Sequence, residues 1–307
     1  MYTELIEIVE VAPRDGLQNE KALISTANKI ALVERAIAAG ARRIEVTSFV
    51  NPKAVPQMAD AEAVCAGLPE RDDVTYIGLV MNARGAGRAL ATGRINQLGA
   101  VSVATNTFAM ANQGQTGDGS IVAASEIIAL ARAAGKAAQV TIAAAFGCPF
   151  EGEVAQDRVV EMAVALAAAG PAEIGLADSI GVANPRHVAS LVTKVRTALP
   201  SMPIRVHFHN TRGTGLANVW AAVEAGAVTV DASLGGLGGC PFAPGATGNV
   251  STEDVVYMLE RAGIRTGLDL PTLISANHWL GEVMQRSLPG MVAKAPPFPK
   301  QAHGQGN

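Results

Sequence analysis

The sequence predicts an α/β fold: a (β/α)8 TIM barrel with a short C-terminal helical extension. Three observations predict it. An alanine-rich helical stretch, closed by glycine and followed by a β-branched run, recurs along the chain. Ala39-Gly40 precedes 43–47, Ala134-Gly135 precedes 139–143, Ala169-Gly170 precedes 173–176, and Ala225-Gly226 precedes 228–231. Glycine just past a helix accepts the left-handed conformation that ends it, so each repeat reads as helix, then strand. Strands of this kind, alternating with helices, form a parallel sheet. Eight such units occupy about 260 residues, the size of one barrel. Finally, the turn after the first strand, Pro13-Arg14-Asp15-Gly16-Leu17-Gln18, lacks the Gly-x-Gly-x-x-Gly with which an open doubly wound sheet usually announces itself.

In chain order, strands are expected at 5–11, 43–48, 74–80, 98–105, 139–146, 173–178, 204–209 and 228–234. Helices are expected at roughly 26–39, 55–66, 82–92, 120–134, 153–169, 185–199, 215–225 and 252–262. Asn184 before Pro185 is an N-cap before proline at the first helical position. Ser251-Thr252-Glu253-Asp254 has the form of a capping box. Past residue 262 the repeat stops. Residues 271–287 read as one or two helices, and the Pro-, Gly- and Gln-rich tail from 296 as frayed. No linker separates a second domain, so residues 1–270 are expected to form the catalytic barrel, with 271–307 packed on it.

Composition narrows the function. At 49% hydrophobic, the 307 residues can build a large core. Charged residues are 17% of the chain and the net charge is −3, with no basic patch for nucleic acid. No apolar run is long enough to span a bilayer, and the first residues lack the apolar core of a signal peptide. Three cysteines (Cys65, Cys148 and Cys240), with no Cys-x-x-Cys, suit a reducing cytosol rather than a disulfide framework. A cytoplasmic protein is therefore expected.

The chemistry follows from where polar residues fall. Barrel active sites lie at the C-terminal ends of the strands. Those ends carry Arg14 and Asp15 after strand 1, Glu45 and Thr47 on strand 2, Thr105-Asn106-Thr107 after strand 4, and Asp178-Ser179 after strand 6. In Arg205-Val206-His207-Phe208-His209-Asn210, strand alternation puts His207 and His209 on one face. Taken singly, each residue has an ordinary explanation: a core histidine, an aspartate paired to its neighbouring arginine, a turn asparagine. Convergence on one rim is what favours a site. Asp15, His207, His209 and Asn249 together would offer two nitrogens and two oxygens, a set suited to Mg2+ or Mn2+. Cys240, in the glycine-dense loop after strand 8, could act as acid or base. Its tetrapeptide recurs as Gly147-Cys148-Pro149-Phe150, and Cys148 is expected to be the structural copy. No lysine falls within the eight strands, which disfavours imine chemistry and favours a metal-assisted route to an enolate.

These residues together resemble the 3-hydroxy-3-methylglutaryl-CoA lyases, a branch of the metal-dependent lyase and Claisen-condensation superfamily. The resemblance covers about residues 6–270. Val9-Glu10-Val11-Ala12-Pro13-Arg14-Asp15-Gly16-Leu17-Gln18-Asn19-Glu20 is close to that family's opening signature. Thr47 to Lys53, Val55-Pro56-Gln57-Met58, Gly147 to Gly152 and the cysteine loop Gly236 to Ala243 follow. The resemblance implies that Asp15, His207, His209 and Asn249 bind a divalent cation. It implies that Arg14 stabilises enolate charge at the acyl carbonyl, with Gln18 of the same motif also at the substrate. Cys240 becomes the catalytic thiol, and Glu45 and Asp178 support substrate or metal-bound water. The implied partner is an acyl-CoA substrate, and the implied reaction a retro-Claisen cleavage in leucine degradation, with either Asp15 or His207 as base. A homodimer is expected from the family's habit and an alanine-rich surface. Two stretches depart from the pattern. Asn210-Thr211-Arg212-Gly213 stands where Asp-Thr-Tyr-Gly is usual, and residues 105–112 lack the expected Ser-Glu pair and lysines. The second change opens an alternative: the same chemistry on citramalyl-CoA or a branched 3-hydroxyglutaryl-CoA. An acetyl-CoA-condensing synthase would normally carry a long C-terminal region beyond the barrel.

Overall fold

A computed structural model describes residues 5–239, 248–296 and 298. Eight strands close into a single ring in chain order: β1 (Glu7–Glu10), β2 (Arg43–Ser48), β3 (Thr75–Leu79), β4 (Gln97–Val103), β5 (Ala137–Ala143), β6 (Ile174–Asp178), β7 (Ile204–Phe208) and β8 (Thr229–Ala232). All neighbours are parallel, and β1 pairs with β8 from Glu7 opposite Thr229 to Glu10 opposite Ala232. The helices are α1 (Thr26–Ala38), α2 (Ala61–Gly67), α3 (Ala83–Ala91), α4 (Asn106–Gln113), α5 (Gly117–Ala133), α6 (Gln156–Ala167), α7 (Pro185–Ala198), α8 (Gly215–Glu224), α9 (Thr252–Arg261) and α10 (Leu270–Met284). The repeat's logic holds, because Gly40, Gly135, Gly170 and Gly226 all have positive φ just past a helix.

The main core lies between the outward faces of the strands and the helices, where Ile44, Leu98, Val140, Leu176, Val206 and Phe208 are buried. A second cluster joins Leu17, Leu32, Leu234, Leu237, Leu273 and Leu280. It fastens α10 to the turn after β1 and the loop after β8, the two segments that carry the rim. Burying an aliphatic side chain of this size stabilises by about 1.5–3 kcal/mol, so the extension helps fix the geometry of the site.

Four local features differ from the sequence reading. Strand 1 ends early, and Ala12–Gly16 makes one π-helical turn in which Gly16 N–H and Asp15 N–H both donate to the Val11 carbonyl, at 3.1 and 2.8 Å. In β2 the pairing shifts between Glu45 and Thr47. This bulge flips the parity beyond it: Thr47, expected at the rim, turns to Met58 Sδ at 3.7 Å, while Ser48 donates to Gln18 at 3.3 Å. Strand 4 stops at Val103, short of the expected end, and α4 occupies what read as loop. That helix is short, and its sequence shows little apolar periodicity. The expected capping box is half formed: Ser251 accepts from Asp254 N–H, but the Asp254 carboxylate accepts from Met291 and Val292 N–H at 3.0 and 2.7 Å, tying down the segment after α10. Asn184 caps α7 as expected, accepting from His187 N–H at 3.1 Å.

Candidate active site

A cavity of about 870 Å3 opens at the C-terminal ends of the strands. Arg14, Asp15, Gln18, Glu45, His207 and His209 all line it. The π turn is the reason Arg14 and Asp15 reach inward from beyond β1. An extra residue in a turn re-aims side chains, and such turns recur at functional sites. Arg14 Nε hydrogen-bonds Glu45, and Arg14 Nη1 donates to Asp15 Oδ1 at 2.6 Å. One guanidinium therefore sits between two carboxylates on the cavity wall.

His207 lies on β7 and His209 just past its end, with ring centroids 5.3 Å apart. Their strand neighbours Val206 and Phe208 are fully buried on the opposite face. Asp15, His207 and His209 each bring one ligand-capable atom to within 4.8 Å of the others. Asn249 joins them through the loop after β8. Its backbone bridges His209, and its amide nitrogen donates to Asp15 Oδ2 at 2.7 Å and to the Leu237 carbonyl at 3.0 Å. Glycine is required where this loop crosses itself. A Cβ on Gly238 (φ +114) would fall 2.5 Å from the Asn249 amide, and one on Gly248 would fall 2.0 Å from the Gly236 carbonyl.

The cluster fits a cation. Asn249 Oδ1 and His209 Nδ1 are buried without a hydrogen-bond partner among the described residues. A buried polar atom left unpaired costs about 1–3 kcal/mol, and acceptors gathered beside a carboxylate suit a bound cation. Electrostatics agree. Burial alone would raise the Asp15 carboxyl, but Arg14, the two histidines and the Asn249 amide outweigh it and hold Asp15 well below the ordinary carboxylate range. Burial, together with the nearby His207, pushes His209 down to about 4, which leaves a neutral imidazole. His207 shifts the other way: burial lowers it, but the hydrogen bond to Asp231 and the charge of Asp15 raise it overall. Glu45 is raised, by burial first and then by Asp231 and Asp15, against the pull of Arg14.

Two expected residues stand apart. Asp178 is fully buried between cavity-lining Ala177 and Ser179. Its two oxygens accept from Val182 N–H at 3.0 Å and Ala183 N–H at 2.9 Å, so the carboxylate shapes the turn into α7. Cys240 lies outside the described residues. Gly239 before it lines the cavity, and its carbonyl accepts from Asn19 at 2.6 Å. Cys148 is buried and takes a hydrogen bond from Thr105 at 3.1 Å, as a structural cysteine would. The sequence reading passed over Arg205 and Asp231, which face the lumen beneath the histidines. Strand parity was the available signal, since Arg205 shares its face with His207.

A closed (β/α)8 barrel with this carboxylate–imidazole rim is a TIM-barrel protein whose candidate site lies at the strand ends. The HMGL-like family model matches residues 5–279, and the chain belongs to that family. The (R)-citramalyl-CoA lyase of Chloroflexus aurantiacus is 42% identical, covering 96% of this chain and 96% of that protein. A hydroxymethylglutaryl-CoA lyase of Bacillus subtilis is 40% identical, covering 94% and 96%. Among solved structures, an HMG-CoA lyase from Acinetobacter baumannii in complex with coenzyme A and 3-methylmalate superposes with a TM-score of 0.92 at 40% identity, covering 98% of each chain.

Proposed function

We propose that the protein cleaves 3-hydroxy-3-methylglutaryl-CoA to acetyl-CoA and acetoacetate. The observation that carries this reading is the convergence of Asp15, His207, His209 and Asn249 on one point beside the Arg14 guanidinium. Those four residues would hold Mg2+ or Mn2+, which when bound supplies Lewis-acid polarisation of the substrate's hydroxyl and carboxyl oxygens. The tertiary hydroxyl gives its proton to the Asp15 carboxylate. The carbon–carbon bond then breaks: the carbinol carbon becomes the ketone of acetoacetate, and the electron pair passes to the acetyl-CoA enolate. Arg14, held between Glu45 and Asp15, donates hydrogen bonds to the enolate oxygen as charge develops there. A proton delivered to the methylene carbon by Cys240 completes acetyl-CoA. The cavity is open at the mouth, where Asn51, Asn82, Arg84 and Asn112 stand ready for polar groups of the CoA arm.

A second reading is cleavage of citramalyl-CoA to acetyl-CoA and pyruvate. Two relatives favour it: one is a lyase for that thioester, and another holds 3-methylmalate, an isomer of citramalate. A homodimer in the reducing cytoplasm completes the proposal. Free Cys65 and Cys148 accord with that compartment, where thiols stay reduced, and sedimentation velocity tests the dimer. Among the described residues no helix is long and apolar enough to cross a membrane. The deciding experiment is acetyl-CoA release from both thioesters in the presence of Mg2+ or Mn2+. Faster, chelator-sensitive cleavage of the first supports the main reading. Cleavage of citramalyl-CoA alone moves the assignment to the second, and cleavage of neither removes both.

A further inference from the structure

His207 is gripped from behind. Its Nδ1 lies 3.2 Å from Asp231 Oδ2, while Nε2 faces Asp15. A neutral imidazole carries one N–H and one lone pair. A carboxylate accepts only, and Asp231 is within hydrogen-bond distance of Nδ1 while Asp15 Oδ2 stands 3.8 Å from Nε2, so the hydrogen of the neutral ring belongs on Nδ1 and Nε2 keeps the lone pair. Strands β7 and β8 set this up by placing His207 directly opposite Asp231 in register.

Asp231 is fixed in turn. It is 4% exposed, and Arg205, 2% exposed, hydrogen-bonds the same Oδ2 through Nη1. The rest of the guanidinium is anchored as well: Nη2 donates to Thr141 at 2.6 Å, and Nε pairs with Glu173 at 2.8 Å. This arginine crosses the lumen over β6, where Gly175 stands. A Cβ on Gly175 would fall 2.9 Å from Nη2, 3.2 Å from Cζ and 3.1 Å from Thr141 Oγ1. Without that missing side chain the guanidinium could not lie where it does.

We propose that Asp231 is the positioning residue that sets the tautomer and tilt of His207, and that Arg205, seated over Gly175, is what keeps Asp231 in place. The role attributed to Nε2, as a ligand in the cation site, rests on the reading under Proposed function; the tautomer itself does not.

The test uses the metal-free full-length chain labelled with [15N]histidine, with the His207 signals assigned by His207→Gln. At a pH high enough to keep His207 neutral, wild type should show a single tautomer with hydrogen on Nδ1. Asp231→Asn should lose that single tautomer, because an amide can donate as well as accept. Mn2+ binding, followed by the EPR signal of the free ion, should weaken 10- to 100-fold, the usual penalty for removing the partner behind a metal-binding histidine. Gly175→Ala keeps every charge and disturbs only the seat of Arg205, so it should move both readouts in the same direction by a smaller factor. It also decides the matter should Asp231→Asn fail to fold. Arg43→Met, a lumen variant that leaves Asp231 alone, should change neither. A His207 signal that keeps the Nδ1–H tautomer in both variants, with Mn2+ affinity within twofold of wild type, overturns the proposal. Absence of Mn2+ binding by wild type would overturn the metal reading alone, since the tautomer comparison still judges Asp231.

Discussion

The two ends of the barrel lumen are built from the same residue types to opposite effect. At the N-terminal end, Arg43 donates to Glu7 at 2.6 Å, Glu173 at 2.6 Å, Gln139 at 2.7 Å and Gln97 at 3.4 Å. Every acceptor there has its donor. At the C-terminal end, Asn249 Oδ1 and His209 Nδ1 are buried with none among the described residues. An apolar plug of Val9, Val11 and Ile77 lies in the lumen between the strands. The contrast separates polar groups that stabilise from polar groups held in reserve for a ligand. The saturated network makes a structural plug, and the unsaturated cluster beside the cavity suits a ligand.

Four experiments break or sharpen that contrast, beginning with the largest effect. Stripping divalent metal should abolish turnover and leave the far end untouched, with activity returning on addition of Mn2+ or Mg2+; full activity in chelator would refute the site. Arg14→Ala should lower kcat by about two to three powers of ten, the scale of an oxyanion-hole donor, while Mn2+ still binds; near-normal turnover would end the assignment. The third probes a carboxylate just outside the lumen, buried with no cationic side chain beside it among the described residues. Glu10 accepts from Ala12 and Leu234 N–H and from Thr252, yet burial pushes it up to about 7. With the folded value above the ordinary 4.5, its contribution is complete below about pH 4.5 and is lost as pH rises through 7. Urea titrations across that window should lose at most about 3 kcal/mol, and Glu10→Gln should flatten the slope. The smallest effect is expected of Arg43→Met: about 2 kcal/mol of stability and no change in kcat. That is below the ~3–5 kcal/mol of a fully buried pair, because Glu7 is 44% exposed and Glu173 keeps Arg205. A fall in kcat with stability intact would show that the two ends are not independent.

The parts of this molecule legible in the sequence are those with a period or a cap. Gly40, Gly135, Gly170 and Gly226 marked helix ends, His207 and His209 shared a face by alternation, and Asn184 announced α7. What escaped notice lacks local periodicity. The π turn at Ala12–Gly16 depends on Gly16 packing where a Cβ would meet Ser233 Oγ at 2.8 Å, a contact with a residue more than two hundred positions away. The β2 bulge sent Thr47 outward, a reversal that residue types do not encode. Asp178 ends a strand, and the bonds of its carboxylate to two backbone N–H groups are visible only once the turn is built. Arg205 and Asp231 drew no role, since what they do exists only across neighbouring strands.

The hydrogen bond between Asn249 and Asp15 joins residues 234 positions apart, and the ring closes only when β8 meets β1. A ribosome adding about 5–20 residues per second therefore takes on the order of 10–50 s to deliver the second half of this contact after the first. For all that time β1 has one bare edge and Asp15 lacks its amide partner. The nascent chain can build helices and neighbouring strand pairs as it emerges, but the Asp15–Asn249 contact forms only after β8 and the segment that follows it have been made.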